Sequence, residues 1–516
     1  MGNIAYEVSQ NEINVPLDDI DMNWELHDRL GFLRNIFFDT APRNHTMPKI
    51  RKKPCLTHLR NSDIYKEVKA MCGLPANSKL PSSKWSLNRA IEQREMGLKG
   101  RPFGAFSAND QRRIATLFIP NKKIKKLMSF ENKVQVCTFN KDGSRLVTVC
   151  NDHFIRIFDA SKGTYHRVNK MKANFINLHI VDLDISSCGG YVAYSTWSDL
   201  FCVLPINGSP DDLKMIDLNV NETRFGVFSL RFSPDGKKLV GGCSNARVYL
   251  CDRETDTITY IQADHPSFVH INAISYVDEL NPNLLLTGSN HGLLKLWDMR
   301  TVRNNKRDGS VCTFYGHLDG ITYIDSRNDG RHVLSNSKDQ SIKLWDLRKS
   351  TNKSKIKKNF HLPVFCWDYR WDSVPRELYN CKPREGDVSL MTYRGHRVTK
   401  TLLRAKFSPL LQTGQRYIYT GCSTGRIIVY DLLTGNIKEA IEGHWDVVRD
   451  LSWHPVRPEI ISGSWDFHVN LNAYKRDITL NKMSVFPKLR RSIRIAEKKV
   501  HVDVADMSED DPYEDW

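Results

Sequence analysis

The sequence lacks any Cys-x-x-Cys pair among its 12 cysteines, and it has no Cys/His zinc pattern. These absences exclude the common zinc folds and thioredoxin-type redox motifs. Several cysteines, such as Cys137, Cys202 and Cys243, stand in apolar runs, where a free thiol behaves as a small hydrophobic group. We therefore expect buried, reduced thiols in an intracellular protein, and we predict no metal site.

Long apolar runs are also missing. The chain has no stretch long enough to cross a bilayer and no signal-peptide core near Met1. It has neither a Gly-x-x-x-x-Gly-Lys phosphate loop nor a cluster of metal ligands. These absences predict a soluble protein that does not bind membranes, is not an enzyme and needs no cofactor.

Charge is present in excess, with a formal net charge of +16. Such a charge fits nucleic-acid binding, but the basic residues are spread along the chain rather than gathered. The local runs are Lys49–Lys53, Lys122–Lys126 and Lys349–Lys358. This distribution favours solubility and acidic protein partners over nucleic acid.

One duplication dominates the sequence. Leu-Lys-Leu-Trp-Asp-Met-Arg ends at Arg300, and Ile-Lys-Leu-Trp-Asp-Leu-Arg ends at Arg348, 48 residues later. A recurrence of this length that ends in Trp-Asp is typical of propeller blades with four strands each. Apolar strands alternate with Gly, Asp, Asn and Ser turns over seven such units. The sequence predicts an all-β fold, a seven-bladed WD-repeat β-propeller.

The domain limits follow from where the units begin and end. We predict a propeller over residues 113–475, preceded by an N-terminal extension, 1–112, that is largely disordered with short helices. One amphipathic helix is predicted at Trp24–Phe38, and it either packs on its own domain or docks on a partner. Residues 476–516 form a tail whose end, Asp503–Trp516, is acidic and predicted to be disordered.

An insertion at residues 349–394 lengthens the fifth unit by about one blade, so eight blades are the alternative. Its strand candidate, Leu362–Trp371, would supply the outermost strand of the fifth blade. Ile124–Phe130, from outside the repeats, would close the last blade.

The residues of the fifth unit that are typical of WD repeats have a structural role. His317, Asp339 and Trp345 can form a hydrogen-bonded chain with Ser335 or Ser337, because a buried indole N–H and an imidazole both need partners. Asn472 stands where the seventh unit should carry Trp, which would weaken the chain there. By the same standard, Trp367-Asp368 lacks a preceding strand and is not a blade ending.

Arg300 and Arg348 are not needed for such a fold. Each follows a third strand by two positions, so both should lie on the same face of adjacent blades. Their guanidinium groups could bind carboxylates or carbonyls of one partner. The alternative is that they are solvated and pair with local acids.

Tandem Trp-Asp-x-Arg endings resemble the signature of substrate receptors of cullin-4 RING ubiquitin ligases. A second, longer resemblance is carried by the runs Trp367–Trp371, Ser389–His396, Phe407–Pro409, Gly421–Gly425, Val429–Leu433 and Val448–Pro455. With these runs the chain resembles, over most of its length, one family of these receptors, cullin-4-associated factor eleven, or WD-repeat protein twenty-three. The N-terminal third matches poorly, so no role is carried onto it beyond that of a candidate adaptor-binding helix.

The resemblance implies a non-catalytic receptor that docks on the damaged-DNA-binding adaptor protein of the ligase, and through it on cullin-4. The residues implied in adaptor binding are Trp297, Asp298, Arg300, Trp345, Asp346 and Arg348.

The opposite face would hold a protein substrate. Its tight turns supply the candidate residues Asn290, His291, Lys338, Gln340 and Trp465. The family is linked to turnover of stress-responsive transcription factors, which suits a location in nucleus and cytoplasm. Two alternatives stay open: a scaffold without a ligase, and an RNA-binding propeller that uses Lys349–Lys358.

Overall fold

Across the described residues, seven four-stranded antiparallel sheets follow one another along the chain. Each sheet contacts the next through the first strand of at least one of the two sheets, and the last sheet returns to the first, so the sheets are blades of a closed propeller. The predicted all-β, seven-bladed architecture is confirmed. This computed structural model describes residues 54–74, 86–96, 106–173, 179–218, 224–263, 269–301, 309–350, 367–379 and 381–476.

The first strand, β1 Lys122–Ser129, precedes the blades. The next four blades run in chain order: β2 Val134–Phe139, β3 Arg145–Cys150, β4 Phe154–Asp159 and β5 His166–Lys172; β6 Ile180–Ile185, β7 Tyr191–Thr196, β8 Leu200–Pro205 and β9 Lys214–Asp217; β10 Val227–Phe232, β11 Lys238–Cys243, β12 Arg247–Asp252 and β13 Ile258–Gln262; β14 Ile271–Tyr276, β15 Leu284–Ser289, β16 Leu294–Asp298 and β17 Cys312–Phe314.

The last three blades complete the ring. Their strands are β18 Ile321–Ser326, β19 His332–Ser337, β20 Ser341–Asp346 and β21 Met391–Arg394; β22 Ala405–Phe407, β23 Tyr417–Gly421, β24 Arg426–Asp431 and β25 Ile437–Glu442; β26 Val448–Trp453, β27 Glu459–Ser464 and β28 His468–Ala473.

The seventh blade takes its outermost strand from the other end of the propeller. β1 pairs antiparallel with β28, from Lys122 opposite Ala473 to Ser129 opposite His468. The predicted closing strand is therefore confirmed, with its start two residues earlier than Ile124. This pairing covers the edge of β28, which would otherwise expose unpaired backbone groups.

The outermost strand of the fifth blade differs from the prediction. It is Met391–Arg394, which pairs with β20, whereas Trp367–Trp371 forms a turn. Met391 and Tyr393 are buried against the sixth blade, which explains why this short segment joins the sheet. The proposed strand at Leu362–Trp371 is wrong where it is described, and Leu362–Cys366 lies outside the described residues. The described part of the insertion supplies one strand, so the eight-bladed alternative is wrong.

Short helices accompany the propeller, and they are α1 Thr57–Arg60, α2 Asp63–Met71, α3 Leu87–Met96, α4 Ala108–Ala115 and α5 Leu410–Thr413. Ile64 and Val68 lie four residues apart on one side of α2 and are fully buried with Tyr393 of the fifth blade and Ile418 of the sixth. The α2 helix therefore packs where these two blades meet. The predicted helix Trp24–Phe38 and the acidic tail Asp503–Trp516 lie outside the described residues.

Candidate protein-docking faces

Antiparallel pairing gives the disc two faces with different loops. In the fourth blade Leu284 lies opposite Asp298, so the start of β15 and the end of β16 are at the same face. The fifth blade repeats this with His332 opposite Asp346. We call this face, which carries Arg300 and Arg348, the base face. The face with the turn at Asn290 is the top face.

Both arginines on the base face have the same local geometry. Arg300 donates through Nε to Oδ1 of Asp298 at 3.0 Å and through Nη2 to Oδ2 at 2.7 Å. Arg348 makes the same pair of bonds to Asp346, at 3.1 and 2.8 Å. In each case the backbone N–H of the arginine also donates to the aspartate Oδ1. We call this arrangement an Asp-x-Arg fork.

A third fork lies on the top face. Arg370 donates to Asp368 through Nε at 3.0 Å and Nη2 at 2.6 Å. Its turn is joined to the top loops, because Trp367 Nε1 donates to Oδ2 of Asp319 at 3.0 Å. The fork therefore also forms away from the blade endings, and its position on the disc must decide what it contacts.

Burial separates the six residues predicted to bind the adaptor. The side chains of Arg300 and Arg348 are 66% and 54% exposed. Trp297, Trp345 and Asp346 are almost completely buried, so in this structure they hold the strand end in place. Their part in adaptor binding stays a prediction. Asp298 stays largely covered beneath its arginine.

The aspartates fix the arginines rather than merely neutralise them. Hydrogen bonds from Arg300 hold the pKa of Asp298 below its usual range, and bonds to Asp346 and Asp63 raise the pKa of Arg348. Each fork uses the Nε and Nη2 edge, so the Nη1 donors point away from the aspartate. A fixed, charged donor of this kind suits a carboxylate or carbonyl on a partner.

Arg348 has a second partner that sequence reasoning missed. Its Nη2 donates to Oδ2 of Asp63, the first residue of α2, at 2.9 Å. Glu67, one turn further along α2, accepts from Arg327 at 2.7 Å. The signal available in the sequence was weak: Asp63 and Glu67 have the spacing of one helix face. Nothing in their neighbourhood pointed to Arg348.

On the top face, the predicted substrate residues divide by burial. Lys338 donates to Oδ1 of Asn290 at 2.6 Å, and its ammonium lies 4.1 Å from the ring centre of Tyr369. Burial lowers the pKa of Lys338 to about 8. Gln340 is 1% exposed, with its amide bonded to the carbonyls of Lys338 and Val398. Both side chains are thus engaged within the scaffold, and their part in substrate binding stays a prediction.

The top face exposes tryptophan side chains that were not among the substrate-binding candidates predicted from the sequence. His291 and Trp465 are half-buried, and Lys133 lies 4.3 Å from the Trp465 ring centre. Trp445 and Trp371 are 50% and 43% exposed, and neither was a candidate. Exposed tryptophans are frequent anchors in protein interfaces.

Comparisons with known proteins agree with this architecture. The family model "WD domain, G-beta repeat" matches residues 122–159, 309–346 and 435–471. The chain is 34% identical to the DDB1- and CUL4-associated factor 11 homolog of Caenorhabditis elegans over 426 residues, which span 80% of this chain and 70% of that protein. It belongs to the DDB1- and CUL4-associated factor 11 family. The resemblance stated from the sequence is confirmed.

Other members and relatives extend the comparison. The factor 11 homolog of Caenorhabditis briggsae is 32% identical over 78% of this chain and 72% of its own length. The LEC14B protein of Lithospermum erythrorhizon is 33% identical over 74% of this chain and 80% of its own length. DDB1- and CUL4-associated factor 10 of Mus musculus is 29% identical over 27% of this chain and 23% of its own length.

In this factor 11 family member, the predicted structural chain of the fifth blade is confirmed. Trp345 Nε1 donates to Ser335 Oγ at 2.7 Å, Ser335 lies 2.6 Å from His317 Nε2, and His317 Nδ1 lies 2.9 Å from Asp339. The serine is therefore Ser335 and not Ser337. Burial alone would raise the pKa of Asp339, but His317 holds it well below the usual range.

The seventh blade keeps the chain without tryptophan. His444 lies 2.8 Å from both Asp466 and Ser462, and Asn472 Nδ2 donates to Ser462 Oγ at 3.0 Å. The amide thus takes the place of the indole N–H. The expectation that Asn472 weakens the chain is corrected, because the serine keeps its donor.

Proposed function

We propose that this protein is a non-catalytic substrate receptor of a cullin-4 ubiquitin ligase. Its base face docks on the DDB1 adaptor, which links it to cullin-4. Its top face holds a protein substrate for ubiquitination and degradation.

The observation that carries this proposal is the pair of exposed forks. Arg300 and Arg348 leave the third strands of neighbouring blades on one face, and each is fixed by its own aspartate. Two preorganised guanidinium groups lose little freedom on binding, so they suit a stable protein contact. Relatives that match most of this chain have names that refer to DDB1 and CUL4, and these names support the same partner.

The top face supports the second half of the proposal. Trp445, Trp371 and the half-buried Trp465 provide apolar contact area on the top face, opposite Arg300 and Arg348. A bound substrate would then be separated from the adaptor by the thickness of the disc. We further propose a stress-responsive transcription factor as substrate, with the receptor in nucleus and cytoplasm.

Replacing both base-face arginines tests the docking. Arg300→Ala with Arg348→Ala should abolish co-purification of DDB1 and cullin-4, because it removes both exposed cations while the buried strand ends remain. The measurement is affinity purification from cells followed by immunoblotting for both proteins.

Arg370→Ala is the matched control, since it removes the same kind of fork from the top face. This variant should retain DDB1 and cullin-4 at the level of the unchanged chain. Full recovery of the ligase by the double variant would contradict the assigned docking face.

A further inference from the structure

The two forks on the base face differ in one respect. Among the described residues, the carboxylate that Arg300 pairs with is Asp298, whereas Arg348 is bound by both Asp346 and Asp63. Asp63 also accepts from Arg331 Nη2 at 2.5 Å. Asp63, a residue of the N-terminal extension, is thus bonded to one of the two arginines of the proposed docking face.

The α2 helix that delivers Asp63 is firmly attached to the propeller. Ile64 and Val68 are fully buried between the fifth and sixth blades. Glu67 is bonded to Arg327, whose own side chain is 2% exposed. Arg113 Nε donates to the carbonyl of Cys72 just after the helix, at 3.0 Å. Asp63 is therefore held in place by apolar packing and by polar contacts in the middle of the helix and just after its end.

The bond from Asp63 restrains Arg348 without occupying its outer edge. It uses Nη2, the nitrogen already bonded to Asp346, so Nη1 keeps its donors for a partner. Hydrogen bonds from Arg348 and Arg331 hold the pKa of Asp63 below its usual range, so it stays ionised at neutral pH. A guanidinium held by two carboxylates has fewer rotamers to lose when a partner binds.

We propose that Asp63 is a positioning residue for Arg348 in docking on the adaptor. This inference rests on the proposed function. The adaptor contacts Arg348, and Asp63 acts through that arginine by holding it in the binding conformation. The N-terminal extension is thereby coupled to the strength of ligase attachment.

A double-mutant cycle tests this role. Dissociation constants for purified DDB1 are measured with the full chain carrying Asp63→Ala, Arg348→Ala, and both together. Asp63→Ala should weaken binding about 3- to 10-fold, the scale expected for ordering one long side chain. In the Arg348→Ala background it should have no further effect, and in the Arg300→Ala background it should keep its full effect.

Glu67→Ala is the matched control. Glu67 lies on the same helix and pairs with Arg327 and Arg331. It therefore shares Arg331 with Asp63, but its ion pairs do not include Arg348. It should leave the dissociation constant unchanged. Thermal unfolding midpoints of all variants show whether α2 stays in place.

Three results would overturn the role of Asp63. Asp63→Ala could tighten binding, which would make Asp63 a competitor of the adaptor, or leave it unchanged. It could also weaken binding equally in the Arg348→Ala background, which would mean that the helix contacts the adaptor itself. An unchanged chain that does not bind DDB1 would instead refute the proposed function, and this role with it.

Discussion

At the scale of single residues, one serine links the buried polar groups of the fifth blade. Ser335 accepts from the Trp345 indole and lies within bonding distance of His317. All three side chains are inaccessible to water. A buried donor or acceptor that loses its partner keeps the full cost of its desolvation.

We therefore expect Ser335→Ala to lower the free energy of unfolding by about 2–4 kcal/mol, since it leaves the Trp345 N–H and His317 Nε2 unpaired. Urea unfolding followed by tryptophan fluorescence measures this. The exposed Ser161, which bonds Asp159 in a turn, provides the control, and Ser161→Ala should change stability by less than about 0.5 kcal/mol. Equal effects of the two substitutions would argue against a structural chain through Ser335.

The Asp-x-Arg fork also belongs to this scale. It forms at Arg300, Arg348 and Arg370 with nearly the same distances, although these residues lie on two faces. The same spacing at Asp325–Arg327 and Asp329–Arg331 gives no such fork, because Arg327 bonds to Glu67 and Arg331 bonds to Asp63 instead. The spacing therefore permits the fork, and the surrounding residues decide whether it forms.

At the scale of elements, β1 is the strand that closes the ring. It joins the start of the propeller to β28, and Leu127 and Met128 pack against the cluster shared with the first blade. Four of its eight residues are lysines, so little of the strand is apolar. The pairing with β28 must therefore supply much of what holds it.

Two shortened chains test the closure. A chain that starts at residue 116 keeps β1 and should elute as a monomer in size-exclusion chromatography. A chain that starts at residue 131 lacks β1 and should aggregate or elute at higher mass, because β28 becomes an unprotected edge. Both chains lack α2 and α4, so the comparison isolates the strand. Identical monomeric behaviour would show that closure by β1 is dispensable.

At the scale of the whole molecule, buried charges connect opposite blades. Arg404, just before the first strand of the sixth blade, donates to Asp182 of the second blade at 2.6 Å and to Asp450 of the seventh at 2.9 Å. Arg231 also bonds Asp182, at 2.8 Å. In a ring of seven, the second and sixth blades lie across the central channel. Arg404 therefore ties the two sides of the disc together.

Arg404→Met should destabilise the protein by about 3–5 kcal/mol, the cost of leaving a buried carboxylate without one of its partners. Arg426, whose ion-pair partner Glu442 is 72% exposed, offers the control. Arg426→Met should cost less than about 1 kcal/mol. The urea concentrations at the unfolding midpoints of the two variants give the comparison. Equal midpoints would contradict a stabilising ion pair across the central channel.

The pH dependence provides a second check on the same variant. Burial alone would raise the pKa of Asp182, but Arg231 and Arg404 hold it at about 2. An unfolded aspartate has a pKa of about 3.9, so this group stabilises the fold above about pH 4 and the stabilisation is lost as pH falls towards 2. Arg404→Met should make the loss of stability over that window shallower.

The sequence by itself determined the features whose causes are local. Strand alternation and turn residues predicted seven blades, and the Trp-Asp endings predicted the buried chain of His317, Asp339 and Trp345. The face shared by Arg300 and Arg348 followed from strand direction alone. Each of these is built from features that lie within individual blades, so reading the units one after another supplies the necessary information.

Only the tertiary structure decided which segments meet over long distances. Met391–Arg394 became the outer strand of the fifth blade because its side chains are buried by the sixth, a neighbour that the segment itself does not specify. Arg404 meets Asp182 across 222 residues, and Arg348 meets Asp63 across 285. In the sequence each of these charged residues looks like a solvated surface charge, because the residues next to it do not reveal a distant ion-pair partner. Folding the ring brings the partners together.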